Sequence, residues 1–220
     1  AYTTRLAELC GLETVSSQVL ESALLVTRYD RDEAVKGIIR RIHQEDFCQV
    51  LGLASQLKYQ DDGGPNLGDC AQVIRRDHQA PAKDLLRLVR WQVFNVLVGN
   101  SDGHAKNLSR IYDSSRGHLA PFYDLVCTAA YDGFSPKLAM SVGSRSEAGQ
   151  IRRPDWEDMA SSMGIRPNLV FREIERIIAG LQEHLDTASD DLPGDGGSEA
   201  AIGRVRAVVR KRVRRVLGNL

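Results

Sequence analysis

Two stretches of this chain, Gly99-Asn100-Ser101-Asp102-Gly103-His104-Ala105-Lys106-Asn107 and Pro121-Phe122-Tyr123-Asp124-Leu125, carry the side chains best suited to chemistry. Asn107 stands five residues after Asp102, and a second acid, Asp124, follows about twenty residues on. That order suits transfer of a phosphoryl group from a metal-bound nucleotide to a hydroxyl. The first acid faces the acceptor hydroxyl and takes its proton, while the Asn amide oxygen turns back across the loop toward a metal ion. The second acid holds Mg²⁺ against the nucleotide phosphates. Asp102, Asn107 and Asp124 fit these roles in order. Lys106 is placed to neutralise charge on the moving group, although a loop lysine is often only solvated. Asp, His and Asn beside glycines also serve as plain turn residues, and the first stretch alone does not separate the two readings. The Tyr123-Asp124-Leu125 element favours catalysis. His104 has no second ligand at metal-site spacing, so a structural or nucleotide-contacting role is expected for it.

Those side chains converge only if the surrounding elements bring them together. Residues 81–98 place Leu85, Leu86, Leu88, Val89, Phe94, Val96 and Leu97 in one long apolar run, which predicts a buried helix. Gly99 and Asn100 break it. Beyond the loop, Leu108–Tyr112 reads as a short strand and 113–117 as a turn, so that a hairpin joins the two acids. Upstream, a helix over 2–11 closes at Gly11. Strands are predicted over Ser22–Arg28 and Val35–Ile42, joined by a charged turn at Asp30–Glu33. Arg28 and Asp30 read as an ion pair beside it. In His43-Gln44-Glu45-Asp46 the acids beside a His invite a metal site, but Asp46 fits better as the N-cap of a helix reaching Leu51. A Gly/Asp-rich loop at 60–68 leads to a helix capped by Asp69. Downstream come a turn at Asp132–Pro136, an extended piece at Lys137–Val142, and helices opened by Pro154 and Pro167.

Taken together, these segments resemble the C-terminal region of the HipA-like serine/threonine kinases, the toxin halves of bacterial toxin–antitoxin pairs. The resemblance runs in order through Thr27-Arg28-Tyr29-Asp30-Arg31, Arg41 to Gln49, Lys58-Tyr59 with Gly63-Gly64-Pro65, the loop 99–107, Tyr123-Asp124-Leu125, and Lys137 to Ser141 with the Trp156 helix. It implies an α+β fold, mainly helical with a small β portion, of the protein-kinase type: a C-terminal lobe with hinge strands. It implies ATP and Mg²⁺ as cofactors. Asp102 and Lys106 would be catalytic. Thr27, Arg28 and Tyr29 at the hinge, His104, Ala105, Lys106 and Asn107 in the loop, and Tyr123 and Asp124 would contact the nucleotide, with Asn107 and Asp124 on the metal. The family often has Glu where this chain has Thr27. The acceptor would be a Ser or Thr of a protein such as an aminoacyl-tRNA synthetase, and the partners an antitoxin and, through it, operator DNA.

The resemblance divides the chain into N-lobe and hinge strands over 1–45, a helical lobe over 46–186, an acidic Gly-rich linker over 187–201 and a basic terminal helix over 202–220. In that tail Ile202, Val205, Val209, Val213 and Val216 recur at helical spacing opposite Arg204, Arg206, Arg210, Lys211, Arg212, Arg214 and Arg215. The valines suit docking on the lobe. Arg204, Arg206, Arg210 and Arg214 are candidates for phosphate contacts. No Gly-rich loop leading into a strand lysine is visible, and the chain begins at Ala1-Tyr2, so a C-terminal lobe without most of its N-lobe is expected. A natural half-kinase completed by another chain is the alternative. Composition is that of an ordinary globular protein, at 42% hydrophobic and 26% charged residues over 220, and zero net charge gives no general attraction to nucleic acid or membrane. The four scattered cysteines suit reduced thiols and a cytoplasmic location. Two other functions fit the same residues: a non-catalytic kinase-like module that binds an antitoxin and operator DNA, and a small-molecule phosphotransferase.

Overall fold

Tyr2, Leu6 and Ala7 share one face, and the computed structural model shows helix α1 (Tyr2–Leu9) burying them. It describes residues 1–21, 23–112, 116–190, 192 and 198–220, with backbone alone at Ala34 and Val35. Two antiparallel hairpins follow α1: β1 (Ser17–Leu20) with β2 (Ala23–Val26), and β3 (Arg31–Val35) with β4 (Ile38–Arg41). Here the sequence reading needs correction. Residues 31–33 are strand, not turn, and Ser22 lies outside the described residues. Of the β3 charges, Asp32 pairs across the ladder with Arg40 at 2.7 Å, Glu33 accepts the Gly37 N–H at 2.8 Å, and Arg31 pairs with the adjacent Asp30. The turn falls at Lys36-Gly37, where Gly37 supplies a φ of +84°.

Strand β5 (His43–Asp46) leads directly into α2 (Phe47–Val50). Asp46 accepts the Gln49 N–H and Gln49 returns the bond to the Asp46 N–H, each at 2.9 Å. Helix α3 (Leu67–Asp77) is capped by Asn66 rather than Asp69; Asp69 is the third residue of the same box and accepts the Asn66 N–H. Helix α4 (Pro81–Val98) runs as predicted, with Pro81 at its start and Trp91, Phe94 and Leu97 fully buried. Each such side chain contributes about 1.5–3 kcal/mol.

After α4 the chain forms β6 (Ser109–Tyr112) and β7 (His118–Leu119), which join β5 in an antiparallel sheet of order β5-β6-β7. Of the turn predicted over 113–117, residues 113–115 lie outside the described residues. Then come β8 (Lys137–Val142) and β9 (Arg145–Glu147), followed by α5 (Arg153–Ser162), α6 (Pro167–His184) and α7 (Glu199–Asn219). Helix α4 is the spine, in contact with α3, α6 and α7. The tail helix starts at Glu199, three residues before Ile202, because Ser198 caps it through the Ala201 N–H. Residues 191 and 193–197 of the acidic stretch lie outside the described residues. The architecture is mainly helical with small sheets, and among the described residues no helix is long and apolar enough to cross a membrane.

Candidate active site

The loop after α4 is pinned from both sides. Gly99 ends the helix at φ +74°, and a Cβ there would come within 2.9 Å of Ala129 and Val208. Asn100 accepts the Asp102 N–H at 3.1 Å and donates to Asn95 at 3.0 Å. Thr128 accepts the Ser101 N–H at 2.8 Å and donates to the Gly99 carbonyl at 3.1 Å. These ties leave the Asp102 carboxylate partly open, 38% exposed. Its Oδ1 accepts the Tyr59 hydroxyl at 2.7 Å and stands 3.8 Å from His104 Nε2. The bond to Asp102, followed by burial, pushes the Tyr59 phenol up. The Lys58 ammonium sits 4.7 Å above the Tyr59 ring. Burial, and after it Lys58, lowers the His104 imidazole, which also feels the charges of Asp102 and Asp124. His104 is therefore neutral at pH 7.

A 3-10 turn over Ala105–Asn107 closes the loop. Asn107 Oδ1 accepts the His104 N–H at 3.1 Å, and its Nδ2 donates to Asp124 Oδ2 at 2.8 Å. Asn107 thus presents an N–H to the second acid and keeps one oxygen lone pair. The Lys106 ammonium has no hydrogen-bond or ion-pair partner among the described residues. The Lys106 carbonyl accepts the Tyr123 hydroxyl at 2.6 Å, and Ser109 meets the same hydroxyl at 2.9 Å. Tyr123 stacks on Tyr29 with centroids 6.0 Å apart, and Tyr29 donates to Gln44. Burial pushes both phenols up. Asp124 is exposed and has a φ of +56°.

The structure therefore brings Tyr29, Asp102, His104, Ala105, Lys106, Asn107, Tyr123 and Asp124 to one region. Thr27 and Arg28 behave differently. The Thr27 N–H donates to Ser16 at 2.9 Å, and Arg28 forks onto Asp30 at 2.8 and 2.7 Å. Among the described residues no hydrogen bond joins either to the loop 99–107.

Several supporting residues escape a reading by spacing. Tyr59 and Lys58 are one case. A buried charge network is another: Asp84 lies 2.7 Å from His78 Nδ1 and 3.0 Å from Arg87, and it accepts the Leu119 N–H at 3.1 Å. Arg87 donates to the Leu119 and Ala120 carbonyls at 2.6 and 2.9 Å. The network grips the chain just before Tyr123-Asp124. An acid and an arginine three apart, Asp84 and Arg87, within the apolar run 81–98 were the available signal.

Among the described residues no cluster of three His, Cys, Asp or Glu side chains could hold a metal ion. Asp124 and Asn107 instead offer one carboxylate and one amide oxygen. That sparse, hard donor set fits Mg²⁺, which keeps water and phosphate oxygens as its other ligands.

A profile of the HipA-like C-terminal domain matches residues 1–187. The chain belongs to the HipA-like family. Its relatives include Y4mE, a candidate kinase of Sinorhizobium fredii, which is 38% identical over 195 residues that cover 87% of this chain and 46% of that protein. The serine/threonine-protein kinase toxin HipA of Shewanella oneidensis is 27% identical over 236 residues, 98% of this chain and 54% of the toxin. Shewanella HipA solved with HipB and its operator DNA superposes at a TM-score of 0.91 and 25% identity, over 99% of this chain and 55% of that one. CtkA, a proinflammatory kinase of Helicobacter pylori, matches at 0.57 and 14% identity, a likeness of fold alone. The fold is kinase-like, and this HipA-like chain spans about half the length of the curated relatives it matches.

Proposed function

We propose that this HipA-like chain is the catalytic portion of an ATP- and Mg²⁺-dependent protein serine/threonine kinase of the toxin type. The observation that carries this reading is the joining of Asn107 to Asp124 at 2.8 Å beside a half-open Asp102. Bound Mg-ATP would supply the γ-phosphoryl group and the metal charge that offsets its oxygens. Asp102 orients the acceptor hydroxyl and takes its proton as the oxygen–phosphorus bond forms and the bond to the nucleotide breaks. Tyr59 holds one Asp102 oxygen, so that the other faces the acceptor. Lys106, without an internal partner, screens charge on the transferred group. Asn107 and Asp124 would hold the metal, and the stacked Tyr29 and Tyr123 rings would border the nucleotide. Calorimetric titration of Mg-ATP into this chain and its Asp124→Ala variant tests the reading, repeated with an N-terminal kinase lobe supplied. Binding that disappears in the variant supports it; no binding in either setting removes it.

The partners follow from the family. Shewanella HipA is solved with HipB and operator DNA, and an antitoxin protein on operator DNA is proposed here too. On α7, Arg206 pairs with Glu199 at 2.8 Å and Arg210 with Asp186 at 2.6 and 2.7 Å. Among the described residues Arg204 and Arg214 donate only from Nε, to main-chain carbonyls, and these two are the better placed for phosphate contacts. Translation proteins such as aminoacyl-tRNA synthetases remain the proposed acceptor class.

A further inference from the structure

A cleft of about 240 Å³ opens at Asp102, walled by Tyr59, Asp62, Ser101, Phe134, Ser135 and Leu138 among others. A second hollow of about 200 Å³ continues from it, sharing Ser101, Phe134, Ser135 and Leu138, and ends on Arg212. Arg212 differs from its neighbours on α7. Arg206 and Arg210 pair with acids on the protein surface, whereas Arg212 is half-buried against Gly99, with Nε 3.9 Å from the position a Gly99 Cβ would take. Among the described residues it has no hydrogen-bond or ion-pair partner. The groups whose charges reach it are Cys127 and Arg215. Burial pushes the Cys127 thiol up to about 11, so it stays neutral near pH 7, and Arg215 repels. Among the described residues no carboxylate answers this guanidinium.

A half-buried cation without a counter-charge is costly unless a ligand supplies one. The guanidinium fork matches carboxylate and phosphate oxygens two at a time. Hydroxyls stand beside it. Ser135 accepts the Lys137 N–H at 3.2 Å and so keeps its own proton to donate, and Tyr131 lies on the rim.

We propose that this hollow is an oxyanion subsite, in which Arg212 and Ser135 bind a carboxylate or phosphate carried by the acceptor polypeptide close to the hydroxyl presented to Asp102. The anion site stands independently of the kinase reading; its use by an acceptor rests on that reading.

The test is a nitrogen-15 NMR titration of the chain with sodium phosphate and with sodium acetate, at ionic strength held constant with chloride. Saturable shifts are expected at the Gly99, Ser101 and Ser135 amides and at Arg212 Nε, weakened about tenfold or more in Arg212→Gln and unchanged in Lys211→Gln, an exposed neighbour on the same helix. If Arg212→Gln loses its dispersed spectrum, Arg212→Lys replaces it, and loss of the fork weakens binding about threefold. No saturable shift, shifts spread along the outer arginines of α7, or binding indifferent to Arg212 would overturn the subsite. Capped peptides Ala-Ser-Ala-Glu-Ala and Ala-Ser-Ala-Gln-Ala then separate the sources. About fivefold tighter binding of the Glu peptide supports the acceptor role, and phosphate binding without that preference overturns it. Failure of Mg-ATP to bind while these shifts persist would sink the kinase reading and leave the anion site in place.

Discussion

The catalytic loop and the two hairpins upstream of it are held by opposite means. Around Asp102 nearly every tie is a hydrogen bond from a buried or half-buried group, to Asn95, Asn100, Thr128 or Tyr59. In the hairpins β1–β2 and β3–β4 the ladder bonds form, but Leu20, Leu24, Leu25, Ile38 and Ile39 face outward, with Ile38 62% and Ile39 69% exposed. The first region takes its order from tertiary contacts and the second from local pairing. Polar groups sealed from water hold one geometry, because any other leaves a donor or acceptor unmet. Apolar side chains in solvent impose no such choice. The Asp102 side of the candidate site is thus fixed within this chain, and the hairpin side is not.

Substitutions at four positions can break or sharpen that contrast. Asp102→Asn is expected to lower phosphoryl transfer by about 10²–10⁴-fold, with unfolding free energy changed by less than about 0.5 kcal/mol because the side chain is partly solvated. Transfer assays and urea denaturation, run side by side, check both halves. Asp84→Ala does the reverse, costing about 3–5 kcal/mol of stability by stranding buried Arg87. The same carboxyl makes stability depend on pH. Burial would raise its pKa, but His78, the Leu119 N–H and Arg87 outweigh burial and hold it below the ordinary value. Its contribution is therefore full above the unfolded value of about 4 and fades as pH falls through the lower folded value. Denaturation curves between pH 6 and pH 2 should show that slope, and Asp84→Asn should flatten it. Tyr59→Phe removes one bond to Asp102 and should slow transfer about fivefold, with Mg-ATP affinity unchanged in calorimetry. The smallest effect is expected of Ile39→Ser, within about 0.5 kcal/mol by thermal unfolding. A loss above about 2 kcal/mol would mean that the hairpin faces are load-supporting after all, and the contrast would fail.

What the sequence made legible follows the range of each interaction. Helix α4 announces itself through a continuous apolar run with Pro81 at one end and Gly99 at the other. The Asp102, Asn107 and Asp124 set stands out because the proposed chemistry would need those types at short spacing, and the fold joins Asn107 to Asp124 at 2.8 Å. Strand β3 was misread since its charges imitate a turn, and their partners, Arg40 for Asp32 and the Gly37 N–H for Glu33, are set by the hairpin register. Asn66 and Asp69 form one capping box in which either could be taken for the cap. The Tyr59–Asp102 bond joins residues 43 apart. No local pattern predicts such a contact, and Arg212 was hidden among arginines that look alike until the fold turns one of them inward.

Asp124 holds a backbone conformation that costs a residue with a Cβ about 1–2 kcal/mol. A residue kept there against its own conformational preference implies a trade-off between folding and chemistry. Asp124→Gly should retain the melting temperature or raise it by up to about 2–4 °C in scanning calorimetry, despite losing the carboxylate. Drift away from catalysis would therefore meet no resistance from stability at this position. A relative carrying glycine here would fold at least as well and would lack the carboxylate proposed to hold the metal.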